Sequence, residues 1–207
     1  MINTIACLLK TSREYDLEYV ERLMKCLREN INRSTKVDFV CLSDDERVSR
    51  HCEYIKLPDS DYQGFWNKIH LFSCPDLKDR NVMYFDLDTL ITKDISDILQ
   101  YNFSTFTMLK GFFSGNPASG VMAWSGDYSY IAEEYDSTNN HLYNDIKSFG
   151  DQGYIAKVLR ENPLYFQYLF PGRFASYKLH HSAKYDASVV CFHGKPRPRD
   201  VNWSLSL

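Results

Sequence analysis

The stretch Val82-Met83-Tyr84-Phe85-Asp86-Leu87-Asp88-Thr89-Leu90-Ile91 decides how the chain is read. Four apolar residues run without alternation into two carboxylates spaced i, i+2. A run that is apolar at every position suits a central strand covered on both faces. In open α/β sheets, ligands bind beyond the carboxyl ends of the strands, and Asp86 and Asp88 lie at that end. Burying one carboxylate without a partner costs several kcal/mol, and two together also repel. Hard oxygen donors from such a pair suit a divalent cation, Mn²⁺ or Mg²⁺. A cation would neutralise both acids and keep positions open for a phosphate-bearing ligand. The plainer alternative is that Asp86 and Asp88 cap the following turn.

Working outward, Thr4–Leu9 has the character of a first strand, Lys36–Leu42 of a second and Tyr54–Leu57 of a short third ended by Pro58. Leu17, Val20, Met24, Leu27 and Ile31 recur at steps of three and four, one apolar face of a helix. Thr11 with Glu14, or Asp16, could start it. Phe65, Ile69 and Phe72 mark a second helix stopped near Pro75. This alternation predicts α/β architecture, a mostly parallel central sheet flanked by helices. The second half is less regular. It offers strands at Thr105–Leu109, Val121–Trp124 and Val189–Phe192, a loop at Gly111–Ser119, and helices at Tyr128–Tyr135 and Asp151–Arg160.

The 207 residues carry 24 basic and 27 acidic side chains, a net charge of −3, so the basic excess of a nucleic-acid binder is missing. No apolar run approaches the ~18 residues of a membrane span. The N-terminal run lacks a basic leader, which points to a soluble, cytoplasmic protein. Six cysteines are scattered without a C-x-x-C pair, as expected of reduced and mostly buried thiols. No linker divides the chain, so residues 1–207 are expected to form a single domain.

Two enzyme classes place D-x-D after an apolar strand. Phe85-Asp86-Leu87-Asp88-Thr89-Leu90 resembles the opening motif of haloacid-dehalogenase-like phosphohydrolases, but there the motif sits on the first strand and a Gly follows the second Asp. Here some eighty-five residues come first and Thr89 holds the Gly place. The chain more closely resembles glycosyltransferases of the A-type fold, in the glycogenin-like and bacterial galactosyl- and glucosyltransferase group. A non-catalytic sugar-nucleotide or carbohydrate binder is the alternative from outside the enzymes.

Four segments carry the resemblance, in the family's order, the fourth made of three distal stretches; they imply one catalytic domain with a nucleotide-binding half of about 1–92 and an acceptor/sugar half of about 93–207. Leu8 to Tyr15 is similar to the first strand and loop that cradle uridine, which implies that Leu9 and Thr11 meet the base or ribose and Tyr15 stacks on uracil. Phe65 to His70 resembles the helix from which a Lys, here Lys68, reaches the donor. Asp86-Leu87-Asp88 is the metal motif. Ser119-Gly120-Val121 resembles the strand near the sugar, with Ala118 in place of the usual Asn. Gly150-Asp151-Gln152-Gly153 resembles the helix start whose Asp and Gln, here Asp151 and Gln152, face the transferred sugar and would be catalytic. Phe192-His193-Gly194-Lys195-Pro196 resembles a compressed form of the closing segment. That implies His193 as third metal ligand, with Gly194 and Lys195 on the diphosphate; Arg197 and Arg199 could add phosphate contacts. The resemblance implies a metal-dependent hexosyl transfer from UDP-glucose or UDP-galactose, with retention. The acceptor would be a carbohydrate or glycoconjugate, and a soluble one is favoured because the chain lacks the basic amphipathic extension of membrane-surface members.

Overall fold

The computed structural model describes residues 1–138 and 150–204. Ten strands can be followed through them: β1 Thr4–Leu9, β2 Asp38–Ser43, β3 Glu53–Lys56, β4 Asn81–Phe85, β5 Thr89–Ile91, β6 Thr107–Lys110, β7 Pro117–Ser125, β8 Leu164–Tyr165, β9 Phe174–Ser176 and β10 Val189–Cys191. Seven of them form one sheet in the order β3-β2-β1-β4-β7-β6-β8. β1 to β4 pair in parallel, as do β6 and β8, whereas β7 runs antiparallel to both of its neighbours. The mostly parallel sheet with flanking helices is therefore the observed architecture.

β4 is central, and its residues alternate between two cores. Met83 and Phe85 join Leu23, Met24 and Leu27 on one face. Val82 and Tyr84 join Trp66, Ile69 and Trp124 on the other. That two-sided burial is why the strand reads as an uninterrupted apolar run. The helix Leu17–Glu29 supplies the first face with Tyr19, Val20, Leu23, Met24 and Leu27 buried. Asp16 is its N-cap and accepts from the Glu18 backbone N–H. The helix ends at Asn30, so Ile31 lies past it.

Other elements are shorter than the sequence pattern implies. The second helix begins as a 3₁₀ segment, Gly64–Ile69, continues as His70–Ser73 and breaks at Pro75, which opens the short helix Pro75–Lys78. The helix expected over Tyr128–Tyr135 covers Tyr130–Glu133, and that expected from Asp151 covers Gly150–Val158. Trp203 packs against the core, edge-on to Tyr19 at 4.8 Å; Leu205 lies outside the described residues.

A small second sheet, β5-β10-β9, does not announce itself in the sequence. β10 falls on the strand expected at Val189–Phe192, but β5 and β9 have three residues each, too few for a periodicity to register. It is decisive for the site. β5 leaves directly from Asp88 and pairs antiparallel with β10, Thr89 opposite Cys191. The Phe192 backbone N–H then donates to the Asp88 carbonyl at 3.0 Å. The segment after β10 is thereby laid beside the carboxylate pair. No helix among the described residues is long and apolar enough to cross a membrane. The six cysteines are free, four of them buried.

Leu23 is fully packed between helix and sheet. Leu23→Ala is expected to lower unfolding stability by ~2–5 kcal/mol, measured by urea denaturation.

Candidate active site

A cleft of about 1280 Å³ opens at the carboxyl ends of the parallel strands. That exceeds the ~300–1,000 Å³ of most small-molecule sites. Thr11, Tyr15, Lys68, Asp86, Asp88, Ser119, Gly194, Asp151, Gln152 and His193 all line it. These residues come from six separate stretches of the chain, so the fold gathers most of the expected set into one concavity.

Two cation-centred clusters organise its floor. In the first, the Lys68 Nζ lies 3.0 and 3.3 Å from the two Asp86 carboxylate oxygens, 3.1 Å from Asp151 Oδ2 and 3.0 Å from Ser119 Oγ. Ser119 Oγ donates in turn to Asp151 Oδ2 at 2.6 Å, and the Tyr84 hydroxyl donates to Asp86 Oδ1 at 2.7 Å. Burial pulls the Lys68 pKa down, but Asp151 and Asp86 raise it by more, so the ammonium stays charged. Its position follows from the 3₁₀ turn Gly64–Ile69, which buries Trp66, Asn67, Lys68 and Ile69 together.

The second cluster surrounds Asp88. Its Oδ2 accepts from the Tyr15 hydroxyl at 3.1 Å and from Arg197 Nη1. Arg197 Nη2 reaches Glu14 at 3.0 Å, and its guanidinium lies over the Tyr15 ring, 5.0 Å from the centroid. Desolvation, then the nearby Asp86 charge, push the Asp88 carboxyl up, with Arg197 opposing them. Desolvation also pushes the Tyr15 hydroxyl far up, Asp88 adding to it.

Several expected roles change on this geometry. Leu9 does not reach the cleft; it is fully buried in the core, because strand alternation turns Leu8, not Leu9, to the cleft. Lys195 is exposed and is not among the cleft-lining residues, whereas Arg197 is. Past the turn at Gly194, with φ +78°, the residue that enters the cleft is Arg197, two places after Lys195. Asp151 lines the cleft as a counter-ion of Lys68. Gln152 Oε1 accepts from the Ser119 backbone N–H at 3.4 Å. Thr11 donates through both its N–H and its hydroxyl to Asp44, at 2.8 and 2.9 Å.

His193 lies on the cleft wall with Nε2 in a 2.6 Å hydrogen bond with Ser176 Oγ and its ring stacked on Phe112. Burial, with Lys178 and His180, lowers its pKa and keeps the imidazole neutral. Among the described residues no group of three or more His, Cys, Asp or Glu side chains is gathered in a way that could hold a metal ion. The structure thus holds His193 to β9 rather than to the carboxylates. Asp86 and Asp88 themselves fit a divalent cation: both are oxygen donors on one cleft wall, and the desolvated Asp88 carboxylate would gain from added positive charge.

Sequence reasoning left Tyr84, Asp44, Glu14 and Ser176 unassigned. Tyr84 was legible from its place two residues before Asp86, on the same strand face. Gly150 was legible as an obligate glycine only from structure. Its φ is +60°, and a Cβ there would meet the Phe65 ring at 2.8 Å.

Lys68→Met is expected to cost ~3–5 kcal/mol of stability, because it strands a buried anion. Adding Asp151→Asn should recover part of that loss, a coupling readable in a double-mutant cycle of chemical denaturation.

No protein-family model matches the sequence, and no curated protein is similar to it. Solved structures are similar in fold. The glycosyltransferase GlyE of Streptococcus pneumoniae TIGR4 superposes with a TM-score of 0.66 at 16% identity. The match covers the whole of this chain and 60% of GlyE. The galactosyltransferase LgtC, solved with donor and acceptor sugar analogues, gives 0.64 at 13% identity over 98% of this chain and 92% of LgtC. The bifunctional WbbM gives 0.63 at 11%, over 95% of this chain and 46% of WbbM. The chain thus spans under two thirds of the length of GlyE and WbbM, and nearly all of LgtC. With the D-x-D pair at the end of a central parallel strand, the chain has the A-type glycosyltransferase fold.

Proposed function

We propose that the protein transfers a hexose from a UDP-sugar, UDP-glucose or UDP-galactose, to a carbohydrate or glycoconjugate acceptor, with retention at the anomeric carbon. The single observation that carries this reading is the placement of Asp86 and Asp88 in a large cleft at the strand ends of a fold shared with glycosyltransferases. The cleft volume has room for a nucleotide sugar and an acceptor together.

Transfer breaks the bond between the anomeric carbon and the diphosphate, so negative charge grows on the leaving nucleotide. Electrostatic stabilisation of that charge is usually the largest catalytic contribution. Asp86 and Asp88 would hold a divalent cation, Mn²⁺ or Mg²⁺, which would supply Lewis-acid chemistry at the leaving diphosphate. Lys68 orients the Asp86 carboxylate through contacts to both of its oxygens, at 3.0 and 3.3 Å. Ser119 and Gln152 are bound to each other and to the Lys68 cluster, which fixes the wall on which the sugar would rest. Thr11, locked to Asp44, and the Tyr15 ring form the opposite wall for the nucleoside. Arg197 brings a permanent positive charge to the phosphate region.

A panel of nucleotide sugars with Mn²⁺, scored by nucleotide release, tests the reading. Turnover of a UDP-hexose is expected, falling on the order of 10²–10³-fold in Asp86→Asn or Asp88→Asn. Product NMR should show retained anomeric configuration. Absence of turnover with every donor, or full activity in both variants, contradicts it.

A further inference from the structure

The Asp88 carboxylate that the proposed function needs for a cation already has one of the chain's own. Arg197 Nη1 is bonded to Asp88 Oδ2, the same oxygen that Tyr15 uses. The same guanidinium covers the Tyr15 ring and is tied to Glu14 on the loop before the first helix. Its remaining donor, Nε, is buried without a hydrogen-bond partner. A buried donor left unmade is costly, so this arrangement leaves the guanidinium incompletely satisfied. Arg197 therefore sits on both surfaces that a donor would use: the second carboxylate of the pair and the face of the aromatic ring.

We propose that Arg197 is a resident cation of the donor site, occupying Asp88 and covering Tyr15 until a divalent cation and a nucleoside diphosphate exchange it from both. The inference rests on reading the cleft as a cation-assisted donor site. A cation bound to Asp88 removes the acceptor of Nη1, and a diphosphate offers the fork a bidentate anionic partner, the geometry guanidinium favours. Lifting the guanidinium also uncovers the Tyr15 ring for a base. The Arg197 backbone N–H is held separately by Asp200 at 2.8 Å, so the exchange needs only the side chain to turn. The neighbouring Arg199 does not share the role, because Asp16 and Glu18 hold it at 2.6 and 2.9 Å, away from Asp88.

The consequence is competition that can be read without any turnover. Free Mn²⁺ is titrated into the intact chain and followed by its electron paramagnetic resonance signal, with no nucleotide present. Arg197→Gln is expected to bind Mn²⁺ about ten-fold more tightly than the unaltered protein, a fold-change of ~1.4 kcal/mol. Arg197→Lys, which keeps the charge but loses the fork, should fall between them, and Asp88→Asn combined with Arg197→Gln should abolish the gain. Uridine alone should also bind Arg197→Gln more tightly, since the Tyr15 face is then open. Thermal melts confirm that each variant is folded; if Arg197→Gln is not, the Arg197→Lys comparison decides. Equal or weaker Mn²⁺ binding in the variant, or no Mn²⁺ binding by either protein, overturns the proposal. Failure of the glycosyl-transfer reading looks different: Mn²⁺ competition with Arg197 would persist while no nucleotide sugar is turned over.

Discussion

A lysine ammonium buried between two carboxylates holds the cleft end of this fold together. Lys68 belongs to the 3₁₀ turn before β4, Asp86 follows β4, Ser119 lies in β7 and Asp151 opens the helix Gly150–Val158. Four segments that are distant in sequence therefore meet on one charge. Desolvating an ion is costly unless its geometry is satisfied, and here the ammonium has carboxylate, hydroxyl and backbone carbonyl partners at 3.0–3.4 Å. Because the acid at the first D-x-D position is one of those partners, the cluster also orients the carboxylate that the proposed chemistry uses.

The two carboxylates of the pair consequently differ in kind. Asp86 is neutralised by a lysine with no other direction to turn, fixed by Asp151 and Ser119. Asp88 is neutralised by an arginine on a loop, with Tyr15 and Glu14 as its other contacts. One counter-ion is structural, and the other is placed where it can be exchanged. This asymmetry answers how two adjacent acids are tolerated at the end of an apolar strand: each has a cation from the chain itself.

Much of the fold was legible because its signals are local and repeated. The run Val82–Phe85 reports burial on both faces, and the three-four spacing from Leu17 to Leu27 reports one helix face. The first strand matches its expected bounds, Thr4–Leu9. The small sheet of β5, β9 and β10 was not legible as a sheet, since β5 finds β10 only across about a hundred residues and β9 is three residues long. That gap explains the site residues that moved. Without the pairing of Thr89 with Cys191, nothing in the sequence says that Arg197 rather than Lys195 enters the cleft. His193 likewise looks available until Ser176, on the neighbouring strand, is seen to hold its ring. Leu8 and Leu9 differ only in which way the strand alternation turns them, and the motif alone does not say which.

The central claim is that the cleft at Asp86 and Asp88 recognises a nucleoside diphosphate with the help of a divalent cation. Calorimetric titration of UDP and of uridine, each with Mn²⁺ and with chelator, tests it most directly. The account expects UDP to bind with Mn²⁺ and to lose most of its affinity with chelator, while uridine binds weakly and indifferently to the metal. UDP affinity that is the same with and without the cation, or no heavier than that of uridine, would contradict it.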